Sequence, residues 1–354
     1  MSVVAAWSPF SYTGVRKIIC LPIREVEVAT GWEPSGISDA EIWDGEAYHR
    51  ALYHEGDTDR PVKWHKNSAD KLIEIASPHI ENGSLVVDYG SGTGGSAIEL
   101  LKCLDERGVE VELVLIDPLK SWFSKARGLL GERDGVHFEL STERGVSGRN
   151  SFRRLEDIME GRKADVIISS STLHLIPAKT IGDLALQFAG SIKEDGAFIW
   201  SSGDLESDLM PENSVLIHDP YRAVREFLRH DGIRSARLSE MADDEKEFHE
   251  RRLDRIFPNP MSIEVVLEAL SGAGFSSDLQ GKVVPFSRED AENFVLVPRL
   301  AEIASPLHLG EERDNAIRGA LDTALGSIAD EGRGNYDEYR SHWVFGRHWL
   351  NQRT

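Results

Sequence analysis

Cysteine is nearly absent. Cys20 and Cys103 are the two in 354 residues, and neither stands in a Cys-x-x-Cys pair. That excludes a disulfide framework and fits a reduced, cytoplasmic compartment. Long apolar runs are missing as well. No stretch approaches the ~20 residues that would span a bilayer, so no membrane segment is expected. Met1 to Phe10 carries no basic region ahead of a long apolar stretch, so no secretory leader is expected. Positive charge is the third shortage: 40 Lys and Arg stand against 60 Asp and Glu, a formal net charge of -20. Such a chain repels a phosphate backbone unless it carries a concentrated basic patch, and no Lys/Arg run of that kind exists, so nucleic acid is not expected as a partner. Internal repeats and low-complexity tracts are lacking too. What remains is an ordinary soluble composition, 40% hydrophobic and 28% charged, long enough for one large domain with additions or for two.

Up to about Pro61 the chain mixes short apolar pieces with turn formers; within it, Ala40 to His54 reads as a helix that Gly56 stops. A second helix is expected over Ser68 to Ala76. From Leu85 the pattern changes to strands alternating with helices. Strands are expected at Leu85–Asp88, Val111–Ile116, Val136–Leu140, Asp165–Ser169 and, after a Glu194-Asp195-Gly196 turn, Ala197–Trp200. Helices are expected at Ser96–Leu104, Lys120–Leu130 and Ile181–Ile192. This alternation means βαβ units, hence a mainly parallel sheet with helices on both faces. After Leu205 the alternation lapses into charged helices, Tyr221–His230 and Asp243–Ile256. A further helix at Ser262–Leu270, a sixth strand near Lys282–Val284, helices at Glu292–Ile303 and Glu311–Ile328, and a final strand at Tyr339–Trp349 complete the chain.

The central signal is Val86-Val87-Asp88-Tyr89-Gly90-Ser91-Gly92-Thr93-Gly94-Gly95. A strand that runs into glycines and then a helix lets a ligand approach bare backbone amides at the helix N-terminus. Gly90-x-Gly92-x-x-Gly95 satisfies a dinucleotide fingerprint loosely, which alone is weak. Asp88 at the strand end suits a ligand with an ammonium or sulfonium group and works against a pyrophosphate. Asp117, ending the second strand, is placed to accept the two hydroxyls of a ribose, although an acid before Pro118 also suits a helix cap.

These residues resemble class I S-adenosylmethionine-dependent methyltransferases. Asp88 to Gly94 looks like the family's first motif, and Asp117 matches its ribose-binding acid. Ala164 to His174 resembles the fourth-strand motif, Ile192 to Ile199 the fifth-strand turn, and Ala269 to Phe275 the helix end before the sixth strand. The resemblance spans roughly Ser68 to Phe275 in order, and more loosely to Trp349. It implies a Rossmann-like α/β fold: a seven-stranded, mainly parallel sheet with helices on both faces and one antiparallel strand near the C-terminus. It implies S-adenosylmethionine as cofactor, held by Asp88, Gly90, Ser91, Gly92, Thr93, Gly94, Asp117, Pro118, Ser170 and Ser171. The Gly-Asp step that often holds the adenine is replaced here by Glu139-Leu140-Ser141-Thr142.

Methyl transfer needs alignment, exclusion of water and, for a hydroxyl acceptor, a base. His174, just past the fourth strand, is the first candidate base, though a histidine packed at a strand end would look the same. Tyr48 and Tyr53 on the first helix could form catalytic walls of a lid, with Trp64 a further aromatic choice for a sulfonium. His49 and His54 are five apart, not the three or four of same-face ligands, so no metal site is expected. Arg222, Arg225 and Arg229 make a helical stripe, either an anion-binding face over the site or a solvated face pairing with Glu226. His218, Tyr221 and Arg225 are the substrate-binding candidates. Four parts are expected: an N-terminal lid over 1–66, the cofactor core over 67–204, a helical cap insertion over 205–258, and the rest of the sheet with its helices over 259–354.

The activity expected is methyl transfer to a small molecule, at O, N or C. The same fold and cofactor could instead be attacked at the aminocarboxypropyl carbon, by transfer or by cyclisation to azetidine-2-carboxylate with release of methylthioadenosine. A nicotinamide oxidoreductase is disfavoured by Asp88, and a non-catalytic nucleoside binder by the intact loop, Asp117 and His174. No oligomeric state follows from the sequence.

Overall fold

The computed structural model describes residues 38–53, 64–144, 150–253, 259–334 and 338–351. Among these, seven strands form one sheet: β1 (Leu85–Tyr89), β2 (Glu112–Asp117), β3 (Val136–Leu140), β4 (Ala164–Ser170), β5 (Ile192–Ser202), β6 (Phe275–Phe286) and β7 (Tyr339–Leu350), in the spatial order β6-β7-β5-β4-β1-β2-β3. The five strands β1 to β5 pair in parallel. β7 runs antiparallel to both neighbours, from Phe275↔Leu350 to Phe286↔Tyr339 on one side and beside Ser202 at Val344 on the other. This is the mixed sheet that the resemblance implied.

The period of two along each strand sorts its residues into two cores. Val86, Leu113, Leu115, Val166 and Ile168 join one core with α2 (Trp64–Ala76), α3 (Gly95–Glu106) and α4 (Lys120–Leu130). Val87, Val114, Ile116 and Ile167 join the other with α5 (Ala178–Ser191) and a helix at Ile263–Gly272. Because both faces are covered, these strands read as near-continuous apolar runs, which is why they were visible in the sequence.

The chain moves from β1 outward to β2 and β3, then returns to the other side of β1 as β4. The loops after β1 and β4 therefore part at the sheet's switch point, where open α/β sheets place their ligands.

Three expectations need correction. The turn at Glu194-Asp195-Gly196 is a bulge inside β5, where the register jumps from Ala164↔Ile192 to Val166↔Ala197. The sixth strand is far longer than Lys282–Val284; as an edge strand with polar residues on both faces it carries little apolar signal. The helix expected over Glu292–Ile303 is two, Arg288–Val295 and Pro298–Ala304, because Pro298 lacks the N–H to continue the first and instead begins the second.

The excursion after β5 is tied at its base, where Leu205–Glu206 pairs in parallel with Met261–Ser262. Its first helix, α6 (Asp219–Arg229), packs on the long helix Gly310–Asp330 that lies between β6 and β7. Helix α1 (Asp39–Leu52) starts at a Ser38–Glu41 capping box and packs on α4. Residues 1–37 and His54 fall outside the described residues.

Candidate functional site

The loop after β1 has three glycines with positive φ: Gly90 at 77°, Gly92 at 56° and Gly94 at 82°. Gly90 is also pinned by space, since a Cβ there would stand 2.2 Å from Thr172 Oγ1. The Gly90 and Ser91 amides donate to the Ile116 carbonyl, and Thr172 Oγ1 donates to the Gly90 carbonyl. The loop is thus strapped to the ends of β2 and β4. Helix α3 begins behind it with no side-chain cap, so its first amides have no side chain to satisfy them there.

Two buried carboxylates flank this loop. Asp88 is fully buried at the end of β1, and neither of its oxygens has a hydrogen-bond partner among the described residues. Burial, helped by the neighbouring charge of Asp117, pushes it up to about 7. Asp117 ends β2. One of its oxygens accepts from the Gly92 amide (2.9 Å) and the other from the Leu119 amide (2.8 Å). Burial pushes it up to about 7 as well, against those two bonds. Ser91 Oγ and Ser171 Oγ are buried without a partner among the described residues, and Ser171 holds a φ of 55°, a costly conformation for a residue with a side chain. An unpaired buried carboxylate is costly unless a cation or donor meets it. These residues fit a nucleoside carrying a cationic centre; a pyrophosphate would face two carboxylates.

Helix α1 roofs the loop. His49 Nδ1 lies 2.8 Å from Thr93 Oγ1, and Tyr48 stacks on Trp122 with ring centroids 4.4 Å apart. The Tyr53 ring fills the space that a Cβ on Gly95 would need. Tyr48 and Tyr53, the expected catalytic tyrosines, are walls of this roof. Burial pushes both phenols up, Tyr53 to about 12 and Tyr48 further, so neither serves as a base near neutrality. The Trp64 side chain lies outside the described residues.

At the other end, past β4 and β5, three distant segments converge. His174 follows β4, Asp204 follows β5, and His218 stands at the start of α6, all buried. His174 Nδ1 lies 2.9 Å from Ser202 Oγ. His218 Nδ1 lies 3.0 Å from Asp204 Oδ2, in contact but off the line of an ideal hydrogen bond. Arg222 takes both Asp204 oxygens, Oδ1 at 2.9 Å and Oδ2 at 2.5 Å, and reaches Asp219 at 3.2 Å. Burial pushes His174 down to about 3 and also lowers His218, so both imidazoles are neutral near pH 7. Asp204 is held well below the usual carboxylate range, because His218, His174 and Arg222 together outweigh its burial.

His174, Asp204 and His218 offer ligand atoms within 4.8 Å of one another, a spacing that a metal ion could use. The Arg222 fork already occupies both carboxylate oxygens and supplies the countercharge, which argues against a cation there. Sequence spacing could not reveal this cluster, since its members come from three segments.

Among the other expected site residues, Ser170 Oγ lies 3.3 Å from Ser201 Oγ at the strand ends, and the Pro118 carbonyl accepts from Thr142 Oγ1. Tyr221 is a core residue rather than a substrate contact: it is fully buried and its hydroxyl donates to the Leu300 carbonyl. Arg225 lies over the Tyr221 ring, 5.7 Å from its centroid, and the arginine that reaches the cluster is Arg222, one turn earlier. Sequence reasoning also missed Trp122, Ser202, Asp204 and His65. His65, from α2, is buried beside His174 and His218, and burial pushes its imidazole well below its ordinary range.

No family model matches the chain, and no curated protein does. Solved structures match over most of its length. The YcgJ protein from Bacillus subtilis is 14% identical, with a TM-score of 0.48 over 81% of this chain and 99% of that one. A cyclopropane synthase from Mycobacterium tuberculosis is 12% identical, with a TM-score of 0.47 over 89% and 99%. A SAM-dependent methyltransferase from Geobacter sulfurreducens, in complex with S-adenosyl-L-homocysteine, is 15% identical, with a TM-score of 0.43 over 87% and 98%.

Proposed function

We propose that the chain is an S-adenosylmethionine-dependent transferase that passes the cofactor's methyl group to a small-molecule acceptor. The observation that carries this reading is Asp88, a buried carboxylate with no partner, set beneath a glycine loop at the sheet's switch point. The bound cofactor supplies a carbon activated by a sulfonium.

Asp88, Ser91 and the backbone of Gly90 to Gly94 hold its cationic methionine part. Asp117, whose oxygens each carry one backbone donor, keeps lone pairs for the ribose hydroxyls. Ser170, Ser171 and His174 lie at the end of β4, on the other side of the switch point, and border the reacting end. The roof of Tyr48, His49 and Tyr53 covers the glycine loop and shields it from water, which suits a metabolite better than a polymer. The net charge of -20 disfavours nucleic acid, and no described helix is long and apolar enough to cross a membrane.

The test is incubation of the purified protein with S-adenosylmethionine alone, followed by mass spectrometry of bound and released species. Intact bound cofactor, or traces of S-adenosylhomocysteine, supports methyl transfer. Enzyme-dependent methylthioadenosine that disappears in Asp88→Ala would instead assign attack at the aminocarboxypropyl carbon. Preference for NADH over S-adenosylhomocysteine would reject the cofactor.

A further inference from the structure

We propose that His218, oriented by Asp204, is the proton acceptor of the site, and that His174 is its hydrogen-bond donor. This rests on the transferase reading above. The two rings are held in opposite tautomers by their surroundings. A bare Nδ1 lone pair on His218 would face the Asp204 carboxylate at 3.0 Å and be repelled by it. The proton therefore sits on Nδ1, and Nε2 is the basic nitrogen. Ser202 Oγ accepts from the Asp204 amide at 3.1 Å, and the partner its own proton meets is His174 Nδ1 at 2.9 Å. His174 then carries its proton on Nε2.

The surroundings suit a base that gains charge transiently. His218 is faced by Asp204, Asp219 and Arg222, by His174, and by His65 from α2, with the Phe294 ring stacked on it at 5.6 Å. Asp204 with Arg222 is neutral overall, so the buried imidazole is neutral at rest, and the carboxylate stands ready to stabilise an imidazolium. In the step, the acceptor's X–H bond breaks and leaves its electron pair on X. The His218 Nε2 lone pair forms the new N–H bond, and Asp204 remains a carboxylate throughout.

The pair therefore selects a neutral, protic acceptor. It should offer an O–H or N–H to His218 and a hydrogen-bond acceptor to His174 Nε2–H. A hydroxyl beside a carbonyl has this chemistry; a permanently charged ammonium does not.

The experiment is long-range proton–nitrogen NMR of the full chain labelled at histidine nitrogen, at pH 7, with assignment from His174→Gln and His218→Gln. The expected result is a proton on Nδ1 of His218 and on Nε2 of His174. Ser202→Ala should release the tautomer of His174 alone, and Asp204→Asn that of His218. Both rings protonated on the same nitrogen, or an imidazolium at His218, would overturn the assignment. One equivalent of zinc chloride that binds stoichiometrically to wild type and not to His218→Gln would overturn it in favour of a metal centre. A structural pair would pass the tautomer test, so 4-nitrophenol is added to the S-adenosylhomocysteine complex at a pH where the free probe is protonated. Bound probe should stay a phenol whose band is shifted to longer wavelength by its hydrogen bond to His218 in wild type, and the shift should be lost in His218→Gln. An unshifted band in wild type, or the same shift in both, overturns the base. Failure of wild type to bind S-adenosylhomocysteine would remove the transferase reading while leaving the tautomers as measured.

Discussion

Asp88 and Asp204 are both buried aspartates at the carboxyl ends of strands in one sheet, and their electrostatics are opposite. Asp88 has no partner and is pushed up to about 7, with Asp117 beside it pushed the same way. Asp204 holds a guanidinium fork and an imidazole and is held far down. Burial alone cannot distinguish them; the company each keeps does. A carboxylate that the fold has already neutralised serves to orient its neighbours. A carboxylate left unneutralised at a cost to stability marks where a cationic ligand belongs.

The contrast can be broken by substitution. Asp88→Asn should weaken S-adenosylmethionine binding on the order of 10²–10³-fold by calorimetry, since it leaves the ligand's cation without its buried partner. The same change should raise the stability of the ligand-free protein above pH 7, because it removes an uncompensated charge. Asp204→Ala should do the reverse to stability, costing about 3–5 kcal/mol in urea unfolding by stranding Arg222 and His218. If both variants moved stability the same way, the contrast would be void.

Acidity sharpens it. An Asp88 with a folded value of about 7 binds more protons than the unfolded chain between about pH 4 and pH 7. Stability of the ligand-free protein should therefore fall as pH rises through that window, by an amount on the order of 4 kcal/mol for a shift of about three pKa units, and the slope should shrink in Asp88→Asn. Asp204 contributes the opposite way only at strongly acid pH. Urea midpoints at pH 5 and pH 8 decide this, and a flat profile in wild type would contradict it. The smallest effect separates two arginines on one helix. Arg222→Ala should cost about 2 kcal/mol or more, and Arg225→Ala, which loses a ring contact, about 1 kcal/mol or less.

The two ends also differ in how far they were legible. The glycine loop, Asp88 and Asp117 lie within thirty residues of one another on consecutive βα units, so their spacing alone brings them together. The parallel strands were visible because burial on both faces makes them continuous apolar runs, whereas the edge strand Phe275–Phe286 alternates polar residues on both sides and hid most of its length. His174 was legible as the residue after a strand, but its partners Ser202, Asp204 and His218 lie twenty-eight to forty-four residues away and meet it only through the strand order. The arginine stripe on α6 was legible as periodicity. Which arginine turns inward depends on Asp204 across the cluster, which no local pattern encodes.

The most direct test of the central claim is calorimetry of S-adenosylmethionine binding near pH 6.5, in two buffers of different ionisation enthalpy. If a buried Asp88 raised to about 7 awaits a cation, binding must expel the proton that it holds at this pH. The expected result is tight binding with proton release that is lost in Asp88→Asn. Tight binding with no proton release, or with release unchanged in Asp88→Asn, would contradict it.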